Sequence, residues 1–181
     1  MFSTKSQLKR RTPENGTNRK KFLSLLVDEY LQSSSYDAKC QVLANLANFA
    51  YDPINYCYIR DDGVLDIFLY VLKNESSHRL LQYSCAGICN LCVDPVNAEY
   101  ILTHAGLKPI IALLESNNKE EILADAITIL IYLWDTSSKT DINQTKVVRL
   151  MHDFEKSEDK KIANLATVFL QDINSINCGK Q

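Results

Sequence analysis

The sequence contains few of the residues that terminate regular structure. Only five Gly and four Pro occur in 181 residues, which is too few for an all-β chain with many tight turns. Hydrophobic residues at 46% and charged residues at 23% are ordinary values for a single globular domain. The composition therefore favours an all-helical domain.

Long apolar runs are also missing. No stretch approaches the length that a membrane span needs, and no apolar stretch near the N-terminus resembles a signal peptide. We therefore expect an intracellular protein without membrane contact, whose six Cys are reduced.

The motifs of common catalytic sites are absent from the sequence. It has no Gly-rich phosphate loop, no H-E-x-x-H and no nucleophile elbow. The acidic pairs Asp61-Asp62 and Glu120-Glu121 lie at turns or helix starts, where acids complement the helix dipole. We expect no catalytic residue, no cofactor and no small-molecule substrate.

Cys85, Cys89 and Cys92 are the one cluster with metal-ligand spacing, because Cys89-x-x-Cys92 fits a ligand pair. No second pair accompanies it, and the three His are scattered along the chain. The positions also align with apolar residues of neighbouring repeats, so we interpret these Cys as small core residues. A redox or metal protein is the alternative, and the expected metal ligands are none.

Charge is distributed unevenly. Residues 1–21 carry seven Lys or Arg and one acid, a net charge of +6, whereas the other 160 residues carry −8. An acidic body is not a surface for nucleic acid. The basic arm fits a nuclear address, a tail that contacts phosphates or a solvated terminus.

An internal repeat dominates the rest of the chain. The segment 46–55 returns as 88–97 with an offset of 42 residues, and 126–133 falls on 84–91 after another 42. Asp94-Pro95 predicts a helix start, and Asp52-Pro53 predicts the same one repeat earlier. Ala105-Gly106 predicts a left-handed stop at Gly, and a long third helix is predicted at about Lys119–Trp134. Short, medium and long helices in this order, with a period in the low forties, indicate an armadillo-type α-solenoid.

The ends of the array are predicted to be incomplete, as terminal repeats often are. Phe22, Leu25, Leu26 and Tyr30 predict one amphipathic helix. Asp37 is predicted to cap a second helix, which runs to Ala50. After Trp134 a polar run, 135–140, precedes predicted helices at about 142–154 and 161–173. We predict two complete three-helix repeats flanked by truncated ones at 19–174, a disordered basic arm at 1–18 and a flexible tail at 175–181.

The sequence resembles the armadillo-repeat family. The run Asn90-Leu91 … Pro95 … Asn97 … Ile101 … Ala105-Gly106 … Pro109 matches the repeat consensus almost position for position. The segment from Asp37 to Tyr56, together with Cys89–Asp94 and Asn164–Leu170, closely resembles one member of the family.

That resemblance implies a role in the minor spliceosome. There the family member pairs with an RNA-recognition-motif protein of the RNA-binding motif protein 48 type, which handles the capped end of a minor-class small nuclear RNA. The implied function is a non-catalytic adaptor in the nucleus, with a cytoplasmic pool also allowed, whose contact with RNA is at most indirect. The repeat alone implies only a partner-binding solenoid, so a cytoplasmic scaffold for short linear motifs in trafficking or signalling is the alternative.

The predicted partner-binding residues lie on the third helices, which line the groove of an armadillo stack. Asn48 and Asn90 occupy the same place on successive third helices, and an Asn amide can pair with the peptide group of an extended partner. Contacts between helices of the solenoid are the alternative role for both. Asn45, Tyr51 and Tyr132 are further candidates for the same surface.

Two departures argue against a groove for basic peptides of the nuclear-import type. Tyr132 stands where a third Asn is expected. Ala44, Ala86 and Thr128 replace the aromatic residue that accompanies Asn in import receptors.

Overall fold

The computed structural model describes residues 2–11, 17–116, 119–134, 142 and 145–178. Contacts divide the chain into two compact units, here called the first half (Met1–Leu91) and the second half (Cys92–Gln181). Every regular element of the described ranges is a helix, as the composition predicts.

The first half holds the N-terminal flank and the first complete repeat. The flank consists of α1 (Lys5–Arg11), α2 (Arg19–Gln32) and α3 (Tyr36–Ala50). The repeat follows with a 3-10 turn (Pro53–Asn55), α4 (Tyr56–Asp61), α5 (Val64–Asn74) and α6 (His78–Leu91).

The second half holds the second complete repeat and the C-terminal flank. The repeat consists of α7 (Pro95–Thr103), α8 (Leu107–Glu115) and α9 (Glu120–Trp134), and the flank of α10 (Thr145–Phe154) and α11 (Lys160–Cys178). The helix predicted at 142–154 is thus observed from Thr145, and the last helix continues five residues beyond the predicted 173. The polar run 135–140 lies outside the described residues.

Side chains at the helix starts fix these boundaries. The backbone N–H of Asn97 donates to Asp94 Oδ1 at 3.1 Å, and Pro95 occupies the first turn of α7, as predicted. Asp52 has the same role in the preceding repeat, where it accepts from the N–H of Ile54 at 3.4 Å. At α3 the cap is Ser35, which accepts from the N–H of Ala38, whereas Asp37 lies in the first turn rather than at the cap.

The left-handed residue that ends α7 is Ala105, not Gly106, so that prediction is wrong. Ala105 has φ 56°, whereas Gly106 is right-handed with φ −74°. The N–H of Gly106 donates to Ile101 O at 2.8 Å and that of Ala105 to Leu102 O at 3.2 Å, which is the Schellman pattern. Gly63 ends α4 with φ 67°, and the 42-residue offset equates it with Ala105. Helix α8 starts at Leu107, which is 43 residues after the start of α5 at Val64, so Gly106 is an extra residue relative to the first repeat.

The core of the first half lies mainly between α3 and α6. Leu43 and Leu46 on α3, and Ile88 and Leu91 on α6, are fully buried. Gly87 lets the ring of Phe68 lie against the backbone of α6, because a Cβ at this position would overlap that ring. Helix α2 adds Leu23, Leu26 and Tyr30 to this core.

Two residues of the predicted apolar face of α2 are largely outside the core. Phe22 is 41% exposed and Leu25 50% exposed, whereas Leu23, which the prediction omits, is fully buried. The ring of Phe22 instead lies 5.6 Å from the ring of Phe49, at the end of α3.

The core of the second half lies between α9 and α11, with α8 and α10 against them. Trp134 and Phe169 are buried, with ring centroids 6.3 Å apart. Asp159 caps α11, and hydrogen bonds from the backbone N–H groups of Ile162 and Lys161 lower the pKa of its carboxyl.

Helix α1 lies within the arm for which the sequence predicts disorder. The arm is therefore helical over Lys5–Arg11 in this structure. The disorder of residues 1–18 and the flexibility of residues 175–181 in solution stay predictions.

The two left-handed positions give opposite stability predictions. A left-handed Ala carries strain of about 1–2 kcal/mol, which Gly would relieve. Gly also increases the conformational entropy of the unfolded chain, which lowers stability by about 0.4–1 kcal/mol. Ala105→Gly should therefore raise the free energy of unfolding by roughly 0.5–1 kcal/mol. Gly63→Ala should lower it by a similar amount. Urea titration followed by circular dichroism measures both, and a loss of stability in Ala105→Gly would contradict the assignment of Ala105.

Candidate partner-binding cleft

The end of α3 forms a cleft of about 340 Å³ in the first half, which we call the α3 cleft. Asn48 and Tyr51, two of the predicted partner-binding residues, line it and are exposed to solvent, Tyr51 by 57%. The other lining residues are Ser3, Arg19, Phe49, Asp52 and Asn55.

A hydrogen-bonded network holds the floor of the α3 cleft. Asn55 is 1% exposed and donates from Nδ2 to Phe49 O at 2.7 Å. Arg19 donates from Nη1 to Asn55 Oδ1 at 2.9 Å, and its guanidinium lies 5.4 Å from the centre of the Phe49 ring. The same Nη1 is 3.9 Å from Asp52 Oδ2. A buried amide and a cation–π contact therefore hold the groups beneath the two exposed candidates.

Asn90 is placed differently from Asn48. It is half-buried on α6, and its Nδ2 donates to Ala47 O of α3 at 3.1 Å. The backbone carbonyl of Asn90 accepts from the Tyr56 hydroxyl at 2.9 Å. Asn90 therefore makes the contact between helices that was the alternative role for both Asn.

The remaining candidates are partly accessible. Asn45 is half-buried on α3 and accepts from Gln41 Nε2 at 3.4 Å. Tyr132 lies on α9 of the second half and is 44% exposed. On the same helix, burial raises the pKa of the Asp125 carboxyl, and the charge of Lys161 partly offsets this.

Five residues of the α3 cleft were not predicted as site residues. Ser3 was recognised only as part of the N-terminal segment. Asp52 was recognised only as a helix cap, Asn55 only as part of the repeat, and Arg19 only as part of the basic arm. Phe49 carries no sequence signal beyond its apolar character. The recurrence of Asn55 as Asn97, both buried, was the signal that could have marked the network.

The Cys cluster occupies the positions that the repeat alignment assigns to it. Cys85 and Cys92 are buried and Cys89 is half-buried, and the aligned apolar residues of α3, Leu43, Ala47 and Ala50, are all buried. Among the described residues, no group of three His, Cys, Asp or Glu could hold a metal ion.

No helix within the described ranges is long and apolar enough to cross a membrane.

The two Asn give a matched stability test. Asn90→Ala removes the hydrogen bond that α6 donates to the carbonyl of the buried Ala47 on α3, so it should cost about 1 kcal/mol of unfolding free energy. Asn48→Ala changes an exposed side chain and should stay within about 0.5 kcal/mol of the unsubstituted protein. Chemical denaturation compares the pair; equal losses would show that both amides support the fold.

Comparison with known proteins agrees with this architecture. No family model matches the chain. A designed armadillo repeat protein superposes with a TM-score of 0.73 at 18% identity, covering 84% of this chain and 64% of the designed protein. Computationally designed armadillo repeat proteins for modular peptide recognition give 0.74 at 18% identity, with the same coverages. A third designed armadillo repeat protein, solved in complex with the peptide (KR)4, superposes with a TM-score of 0.73 at 17% identity and the same coverages. The chain spans just under two thirds of these designed proteins, whose likeness establishes the armadillo-type α-solenoid.

A curated relative gives the family. Armadillo repeat-containing protein 7 of Mus musculus is 43% identical over 156 residues, which are 85% of this chain and 78% of the relative. Armadillo repeat proteins are scaffolds and generally not catalytic. By this identity and coverage, the chain belongs to the family of armadillo repeat-containing protein 7.

Proposed function

We propose that this repeat scaffold is a non-catalytic adaptor of the minor spliceosome that binds an RNA-recognition-motif protein of the RNA-binding motif protein 48 type. The observation that carries the proposal is the 43% identity to armadillo repeat-containing protein 7 across 85% of the chain. The spliceosomal component of the proposal comes from the family resemblance seen in the sequence, and a nuclear localisation is proposed with it.

The α3 cleft supports a protein partner. Tyr51 presents an aromatic ring next to the exposed amide of Asn48, on a floor fixed by the Arg19–Asn55 bond. Aromatic residues on rigid supports are frequent anchors of protein interfaces. Because the second half and most of the first are acidic, contact with RNA is proposed to pass mainly through the partner.

The second candidate is a scaffold for short linear motifs in the cytoplasm. A designed armadillo repeat protein of the same fold was solved in complex with a short peptide, which supports peptide binding in general. Localisation distinguishes the two candidates. Exclusion of the full chain from the nucleus would favour the scaffold and contradict the adaptor.

The cleft assignment is tested by binding. Asn48→Ala with Tyr51→Ala should weaken capture of the RNA-recognition-motif protein at least about tenfold, because an aromatic anchor and its neighbouring amide are lost. Tyr70→Ala with Asn164→Ala is the matched control, since Tyr70 is 56% exposed on α5 and Asn164 is exposed on α11. Equal affinity of both double variants in isothermal titration would remove the cleft assignment but not the adaptor role.

The adaptor role is tested in cells. Loss of the protein should cause retention of minor-class introns while major-class introns are spliced normally, as RNA sequencing measures. The unsubstituted chain and the Tyr70/Asn164 control should restore splicing, and the Asn48/Tyr51 variant should not. Normal splicing of minor-class introns in cells without the protein would contradict the proposal.

A further inference from the structure

The α3 cleft is already partly covered by the chain itself. The ring of Phe2 lies 5.6 Å from the ring of Tyr51, tilted by 50°. The backbone N–H of Ser3 donates to Asp52 Oδ2 at 3.2 Å, across 49 residues of sequence. Phe2 and Ser3 therefore occupy the surface on which the exposed candidates Asn48 and Tyr51 lie.

Most of the cleft is built without this segment, of which only Ser3 is a lining residue. Asp52 Oδ1 caps the 3-10 turn, and the Arg19–Asn55–Phe49 network fixes the floor. None of these bonds involves Phe2 or Ser3. Removing the segment would therefore leave a preformed site with an exposed aromatic ring and an accepting carboxylate oxygen.

The contact made by the segment is small. Phe2 keeps 56% of its surface exposed and Tyr51 keeps 57%. The polar contact is the bond from the Ser3 N–H to Asp52, and neighbouring Thr4 is engaged with the side chains of Gln7 and Ser6 rather than with the cleft. One ring contact and one hydrogen bond hold a tethered segment but are readily displaced.

We propose that the α3 cleft is a docking site for a partner segment in which an aromatic residue precedes a free backbone N–H, and that Phe2–Ser3 is its internal competitor. The partner ring would take the place of Phe2 against Tyr51, and its N–H would donate to Asp52 Oδ2. An occupied cleft lowers the apparent affinity for the partner in proportion to the vacant fraction. The inference rests on the proposed function in one respect only, the use of this face by a protein partner.

The decisive probe is a fluorescent peptide with the sequence Met-Phe-Ser-Thr-Lys-Ser, measured by anisotropy against the full-length chain. Phe2→Ala in the chain removes the ring of the competitor, so this variant should bind the peptide about threefold to tenfold more tightly than the unsubstituted chain. Tyr51→Ala added to Phe2→Ala should weaken binding at least about tenfold. Tyr70→Ala in the same background should leave binding unchanged.

Three results would overturn the inference. They are equal binding of the peptide to the unsubstituted and Phe2→Ala chains, indifference to Tyr51→Ala, and equal binding of a peptide in which Ala replaces Phe. Thermal melts confirm that the variants are folded, which is expected because Phe2, Tyr51 and Tyr70 are all more than half exposed.

The same variants separate this inference from the proposed function. If the peptide behaves as expected but the RNA-recognition-motif protein binds no variant, the docking site stands and the adaptor role fails. If that protein binds every variant with equal affinity, including Phe2→Ala and Tyr51→Ala, the adaptor role stands and its docking at this cleft is overturned.

Discussion

The packing of α6 against α3 is the contact on which the first half depends. Both are third helices of their repeats, and their facing residues are fully buried aliphatic side chains such as Leu46 and Ile88. A buried aliphatic side chain contributes roughly 1.5–3 kcal/mol, so this interface outweighs any single polar contact of the half. Gly87 brings the ring of Phe68 up to the backbone of α6, which holds α5 against the same interface. The interface therefore fixes the end of α3, where Asn48 and Tyr51 reach solvent.

Much of the fold was predictable because each repeat carries sequence signals at its own boundaries. The 42-residue offset located Asp52-Pro53 and Asp94-Pro95, and both Asp residues cap helices as predicted. The offset would also have identified Ala105 as the left-handed residue, since it equates Ala105 with Gly63. The presence of Gly106 one position later led to the wrong residue, because Gly preference is a statistical signal whereas helix length decides which residue follows the last turn.

The candidate site was less predictable than the fold, because its contacts join residues that are far apart in the sequence. The repeat pattern placed Asn48 and Asn90 at the same position of their helices, but it did not predict that only Asn48 is exposed. The Arg19–Asn55 bond joins residues 36 apart, and the Phe2–Tyr51 contact joins the arm to the end of α3. Local pattern carries no signal for such pairs. Composition predicted a disordered arm, and no rule of composition indicates that one aromatic residue of that arm meets a particular tyrosine.

Asn48 and Asn90 show why a repeated polar residue need not have a repeated function. The same position is exposed on α3, the first third helix along the chain, and half-buried on α6. An amide on α6 has a preceding third helix to bond, and Asn90 uses it by donating to Ala47 O, whereas α3 follows no earlier third helix within the described residues. The terminal position of α3 therefore leaves the Asn48 amide accessible to a partner. A terminal repeat caps the hydrophobic core, and here it also leaves the polar groups of its last helix available at the place where Phe2 and Ser3 lie.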